Sequence, residues 1–111
     1  MSAGLAWTWL LLAIVFEVAG TMCMKRSDGF SSWLPTLMIV PLYLASFSAL
    51  VMALKRIELG VAYAVWSAVG TLLVVVLGVL LFREDLGLLK LGGVVLIIVG
   101  VVMLHLASLE A

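Results

Sequence analysis

Three short charged clusters divide this chain into four long apolar stretches, and that pattern leaves few folds open. Lys25, Arg26 and Asp28 form the first cluster, Lys55, Arg56 and Glu58 the second, and Arg83, Glu84, Asp85 and Lys90 the third. The stretches beside them run approximately over residues 5–24, 33–54, 59–82 and 88–107. At about 1.5 Å per residue, twenty helical residues cover roughly 30 Å, the hydrocarbon thickness of a bilayer. Each stretch is therefore long enough to span. The chain is 67% apolar and 11% charged, against about 45–50% and 25% in soluble domains. The expected fold is all-α: one domain over residues 1–111 with four transmembrane helices, each satisfying its own backbone polar groups.

Several function classes fall away on the same evidence. A net charge of zero, with no basic tract or aromatic RNA motif, argues against a nucleic-acid partner. The first stretch lacks a basic leader, is too long and contains an acid, so it does not read as a signal peptide. Cys23 is the only cysteine and cannot form an internal disulfide. There is no Cys/His pairing for a metal, no nucleophile–base pair and no phosphate loop. No enzyme activity, metal or cofactor is expected.

The connections carry ordinary turn chemistry. Ser27-Asp28-Gly29 reads as a turn, with Asp28 making a local backbone bond and Gly29 free to take positive φ. Pro35 falls near the start of the second span, where a missing N–H is harmless. Pro41 lies well inside that span and predicts a bend or a short irregular stretch. Glu58, near the start of the third span, suits the helix dipole and reads as structural. Trp7, Trp9 and Trp33 lie near span ends and fit an interfacial aromatic belt. His105 is placed near the membrane interface at the end of the fourth span.

Glu17 breaks the pattern. It is the only charge between Leu5 and Met24, well inside the apolar slab. A charged side chain there costs on the order of 2.5–3.5 kcal/mol on insertion scales, and no basic residue lies within a turn to offset it. A site for a proton or cation explains such a residue better than interhelical glue does. Its helical neighbours Ala13, Ile14, Gly20 and Thr21 are small or uncharged and leave room for an approaching group. In the third span Tyr63, Trp66, Ser67 and Gly70 share one face at i, i+3, i+4 and i+7. Tyr43, Ser46 and Phe47 repeat part of that spacing in the second. An acid among aromatic rings and hydroxyls suits a lipophilic cation, since ring faces bind charge without requiring hydrogen bonds. Gly93 and Gly100 lie on one stripe of the fourth span, widened by Gly92. Such a stripe lets helix backbones approach closely in lipid, so a partner helix is expected there.

The segment Phe16-Glu17-Val18-Ala19-Gly20-Thr21, with Met24-Lys25 and Ser27-Asp28-Gly29-Phe30, resembles the first helix and loop of the small multidrug resistance family. Ala62-Tyr63-Ala64-Val65-Trp66-Ser67-Ala68-Val69-Gly70-Thr71 is similar to that family's third helix. The likeness runs over nearly the whole chain. It implies a proton-coupled exporter of the bacterial inner membrane, working as an antiparallel dimer with eight helices in all. Glu17 of each protomer would then be the shared proton and substrate site. Tyr63 and Trp66 would line the pocket, with Tyr43, Ser46, Phe47, Ala13, Ile14, Gly20 and Thr21 around it, and Gly93 and Gly100 would form the dimer stripe. Gly20-Thr21 is similar to the quaternary-ammonium and multidrug branch; family members exporting guanidinium typically carry tryptophan at that glycine. Ala68 stands where the family often has glycine, which leaves Gly70 to bend the third helix.

Lys25, Arg26, Arg83 and Lys90 would face one side of the membrane, Lys55 and Arg56 the other. Four against two orients the chain weakly, which favours a dual-topology homodimer over a heterodimer with a sister chain. Proton and cation would compete for the same carboxylates, with each pH unit across the membrane supplying about 1.4 kcal/mol per proton. The alternatives are a guanidinium or polyamine exporter of the same family, and a non-transporting regulatory subunit. A passive channel fits less well, since there is no ring of like charges or wide polar helix face.

Overall fold

The computed structural model describes residues 1–110. Four helices follow one another: α1 (Ala3–Arg26), α2 (Trp33–Ala53), α3 (Leu59–Phe82) and α4 (Leu88–Glu110). All four are long and apolar enough to cross a membrane, and the described residues contain no strand. The protein is a multi-pass membrane protein. It divides into two compact units, one up to Ile57 and one from Glu58 onward, each a pair of consecutive helices.

In the first unit the start of α1 is fixed by Ser2, whose hydroxyl accepts the Leu5 N–H at 3.1 Å, satisfying one of the free donors of the first turn. Lys25 and Arg26 occupy its last turn, where cations suit the helix dipole. The turn that follows is built by Ser27, not by the Asp28 side chain that the sequence suggested. Buried Ser27 donates to the Met24 carbonyl at 2.7 Å and accepts the Phe30 N–H at 3.3 Å. A hydroxyl can do both at once, whereas a carboxylate only accepts. Asp28 contributes its main chain: its carbonyl accepts from Ser31, and Asp28, Gly29 and Phe30 all take positive φ.

Helix α2 then returns along α1. Pro35 lies in its first turn, where a missing N–H costs no helical bond. Pro41 lies inside α2, and the segment remains helical through it rather than opening into an irregular stretch. Hydrogen bonds hold the pair together at separate levels. Fully buried Ser46 donates to the Ala13 carbonyl at 2.6 Å. Near the other end, the Arg56 Nη1 donates to the Met1 carbonyl at 3.0 Å. The buried apolar positions Ala6, Leu10, Ala13, Ile14 and Val18 recur at three- and four-residue steps on α1, and Ala49 and Ala53 do so on α2. Mostly small, they permit the close helix approach that drives packing in lipid.

In the second unit, α3 buries Val61, Ala62, Ala68, Gly70 and Gly78. Its end is a left-handed cap: Arg83 has φ 55°, and the Glu84 N–H reaches back to the Gly78 carbonyl at 3.1 Å. Such a cap satisfies a carbonyl left free at the helix end. In α4 the spanning part Leu88–Leu109 is apolar yet buries none of its residues within the chain. A Cβ built at Gly92, Gly93 or Gly100 would meet nothing within 4 Å.

Candidate functional site

Glu17 is half-buried on α1, and its carboxylate has a partner one helical turn later. The Thr21 hydroxyl donates to Glu17 Oε1 at 2.8 Å. Residues four apart on a helix stand over one another, so this contact follows from sequence spacing. The same Thr21 oxygen lies 2.6 Å from the Tyr43 hydroxyl of α2. That hydroxyl in turn lies 3.7 Å from the Met24 sulfur, back on α1. Glu17, Thr21, Tyr43 and Met24 thus form one chain of polar contacts between the first two helices.

Gly20 is what lets Tyr43 reach Thr21. A Cβ at position 20 would lie 2.8 Å from Tyr43 Cε2 and 2.9 Å from Cδ2, closer than side-chain carbons pack. The room that the sequence left beside Glu17 at Gly20 is therefore filled by the tyrosine ring. Phe47, exposed one turn along α2, packs obliquely on that ring with centroids 6.1 Å apart. Ser46 also faces α1, but its hydroxyl is committed to the Ala13 carbonyl, one turn before Glu17. Ala13 and Ile14 are almost wholly buried and act within this unit as packing surface.

The second unit carries the other aromatic pair. Tyr63 and Trp66 meet edge to face, centroids 5.4 Å apart and planes at 79°, an arrangement rings prefer over stacked faces. Tyr63 is exposed and Trp66 half-buried, Ser67 is exposed and Gly70 buried. Helix α3 runs without interruption through Ala68-Val69-Gly70.

Sequence spacing brought Glu17 and Thr21 onto one face but gave no reason to include Met24. Its place three residues after Thr21 was the available signal, and a thioether is too weak an acceptor to attract notice by residue type. Among the described residues no three His, Cys, Asp or Glu side chains are grouped to hold a metal ion. One carboxylate, hydroxyls and aromatic rings between apolar helices can bind a monovalent cation or a proton.

A four-helix membrane protein with a solitary intramembrane acid is the class that fold and site define. The sequence profile described as Small Multidrug Resistance protein matches residues 5–97, and the chain belongs to that family. It is 47% identical over 100 residues to an uncharacterised membrane protein of Bacillus subtilis, YvaE, covering 90% of this chain and 84% of that one. It is 42% identical over 97 residues to the multidrug resistance protein EbrA of Bacillus atrophaeus, covering 87% and 92%. It is 38% identical over 97 residues to the quaternary ammonium compound-resistance protein QacH of Staphylococcus saprophyticus, covering 87% and 91%.

Proposed function

We propose that the chain is a proton-coupled antiporter that exports lipophilic or quaternary ammonium cations from the bacterial cytoplasm across the inner membrane, as a single membrane domain. The observation that carries this reading is the half-buried Glu17, the only charge in its stretch of α1, held by Thr21 with Tyr43 behind it. A carboxylate without a counter-charge in apolar surroundings is costly, so in this reading it takes up either a proton or a cation. Entry of one displaces the other, and a site that faces the two sides alternately converts that competition into exchange. The names of EbrA and QacH support drugs and quaternary ammonium compounds as the cargo.

The working unit in this reading is an antiparallel homodimer, with Glu17 of both protomers at the site and the open Gly93–Gly100 stripe of α4 as its contact. The Tyr63–Trp66 pair, with Ser67, would present the aromatic wall of the pocket, and Gly70 would be where α3 bends.

Purified protein should bind tetraphenylphosphonium progressively more weakly as pH falls, because protons occupy the same carboxylates. Isothermal titration calorimetry across a pH series measures this, and a pH-independent affinity would exclude the competition. In the same assay Trp66→Ala should weaken binding by about 1–2 kcal/mol, the worth of a desolvated cation–π contact. Trp7→Ala, in the interfacial belt, should bind like the wild type. Equal losses in the two variants would take Trp66 out of the pocket.

A further inference from the structure

We infer that Thr21, backed by Tyr43, is the residue that suits this site to cations lacking hydrogen-bond donors; the inference rests on the reading of Glu17 as the cation site. A desolvated carboxylate needs hydrogen bonds as well as a counter-charge. A quaternary ammonium or phosphonium ion supplies charge alone. A guanidinium ion supplies both, through its own N–H groups. The protein must therefore provide the missing donor for the first kind of cargo, and the Thr21 hydroxyl, 2.8 Å from Glu17 Oε1, is in place to do so. Because a hydroxyl has a single proton, the 2.6 Å contact between Thr21 and Tyr43 is then donated by Tyr43. The two bonds run in series toward the carboxylate and polarise each other.

The same geometry also serves the protonated acid. With a proton on Glu17, the carboxyl donates to Thr21, Thr21 donates to Tyr43, and Tyr43 donates to the Met24 sulfur at 3.7 Å. Thr21 both donates and accepts in either direction, while Tyr43 donates to Thr21 in one and accepts from Thr21 while donating to Met24 in the other. Met24 gives the Tyr43 proton somewhere to go when Thr21 no longer accepts it, so exchange of proton for cation reverses the chain without moving a heavy atom. The other titratable side chains of α1 besides Glu17 lie at the Met24 end of this chain of contacts, Cys23 and Lys25 flanking Met24 in sequence and Arg26 following, and Tyr43 is the only titratable side chain of α2.

The test uses the full-length protein in lipid nanodiscs, with tetraphenylphosphonium and phenylguanidinium as probes. Thr21→Val keeps the shape and removes the hydroxyl. It should weaken tetraphenylphosphonium binding about tenfold, as for a hydrogen bond to a charged group, and phenylguanidinium by about threefold or less. Thr21→Ser should restore the wild-type ratio. In protein labelled at methionine methyl carbons, the Met24 signal should shift when tetraphenylphosphonium is exchanged for protons, and should stay still in Tyr43→Phe. Equal losses for both probes in Thr21→Val, failure of Thr21→Ser to restore the ratio, or a Met24 signal that ignores the exchange would each overturn the inference. Glu17→Gln separates this from the underlying reading. If Glu17→Gln binds both probes like the wild type, Glu17 is not the cation site. If it loses both while Thr21→Val shows no selectivity, only the role of Thr21 fails.

Discussion

Glu17→Gln is expected to leave the protein folded while abolishing proton-driven export. The glutamine side chain has nearly the same shape, and its amide oxygen can still accept from Thr21, so the 2.8 Å contact that positions the group need not be lost. What disappears is the capacity to titrate and the negative charge. A cation entering this site would then sit uncompensated in an apolar setting, at a cost of about 3–5 kcal/mol, or a hundredfold and more in affinity. Without a titrating group there is also nothing to exchange against the cation. Proteoliposomes carrying a pH gradient measure the result directly through accumulation of tetraphenylphosphonium. Uphill accumulation by Glu17→Gln at the wild-type rate would remove this residue from the mechanism.

The double variant Gly93→Val, Gly100→Val should collapse export by a different route. Beyond the local backbone of α4, neither added Cβ meets an atom of its own chain within 4 Å. Glycine is also the poorer helix former, by several tenths of a kcal/mol relative to valine. Helix α4 should therefore form as well as before, and the loss is expected to arise from what packs against the stripe from outside. If that is a second copy, branched side chains will hold the helices apart and lower the dimer content. Cross-linking in membranes and sedimentation in detergent should show a shift toward monomer, with loss of export in parallel. Dimer content equal to the wild type would move the interface elsewhere on the chain.

The fold was legible because a bilayer imposes so blunt a requirement. Four apolar stretches of spanning length admit little besides four helices, and the charged clusters marked the connections between them. Pro35 at a helix start and Gly29 at positive φ were equally readable, since each is dictated by the residue's own covalent structure. Ser27 was harder to read. Serine and aspartate both favour turns, and only the burial of one residue among the helix ends decides which side chain closes the loop. In the site, the one-turn relation of Glu17 to Thr21 was visible in the spacing. The ring of Tyr43 filling the notch at Gly20 was not, because it depends on the register of α2 against α1. That register rests on contacts such as Ser46 to the Ala13 carbonyl, which join residues 33 positions apart.

The paired bonds between α1 and α2 also constrain motion. Ser46 grips α1 one turn before Glu17, and Tyr43 grips it one turn after, like two rivets through a pair of plates. Sliding α1 along α2 by even part of a turn would break both together and strand a buried hydroxyl. Pulling the tyrosine ring from its notch would forfeit packing as well. These two helices should thus travel as one stiff lever. Whatever turns the carboxylate from one side of the membrane to the other must swing that lever whole.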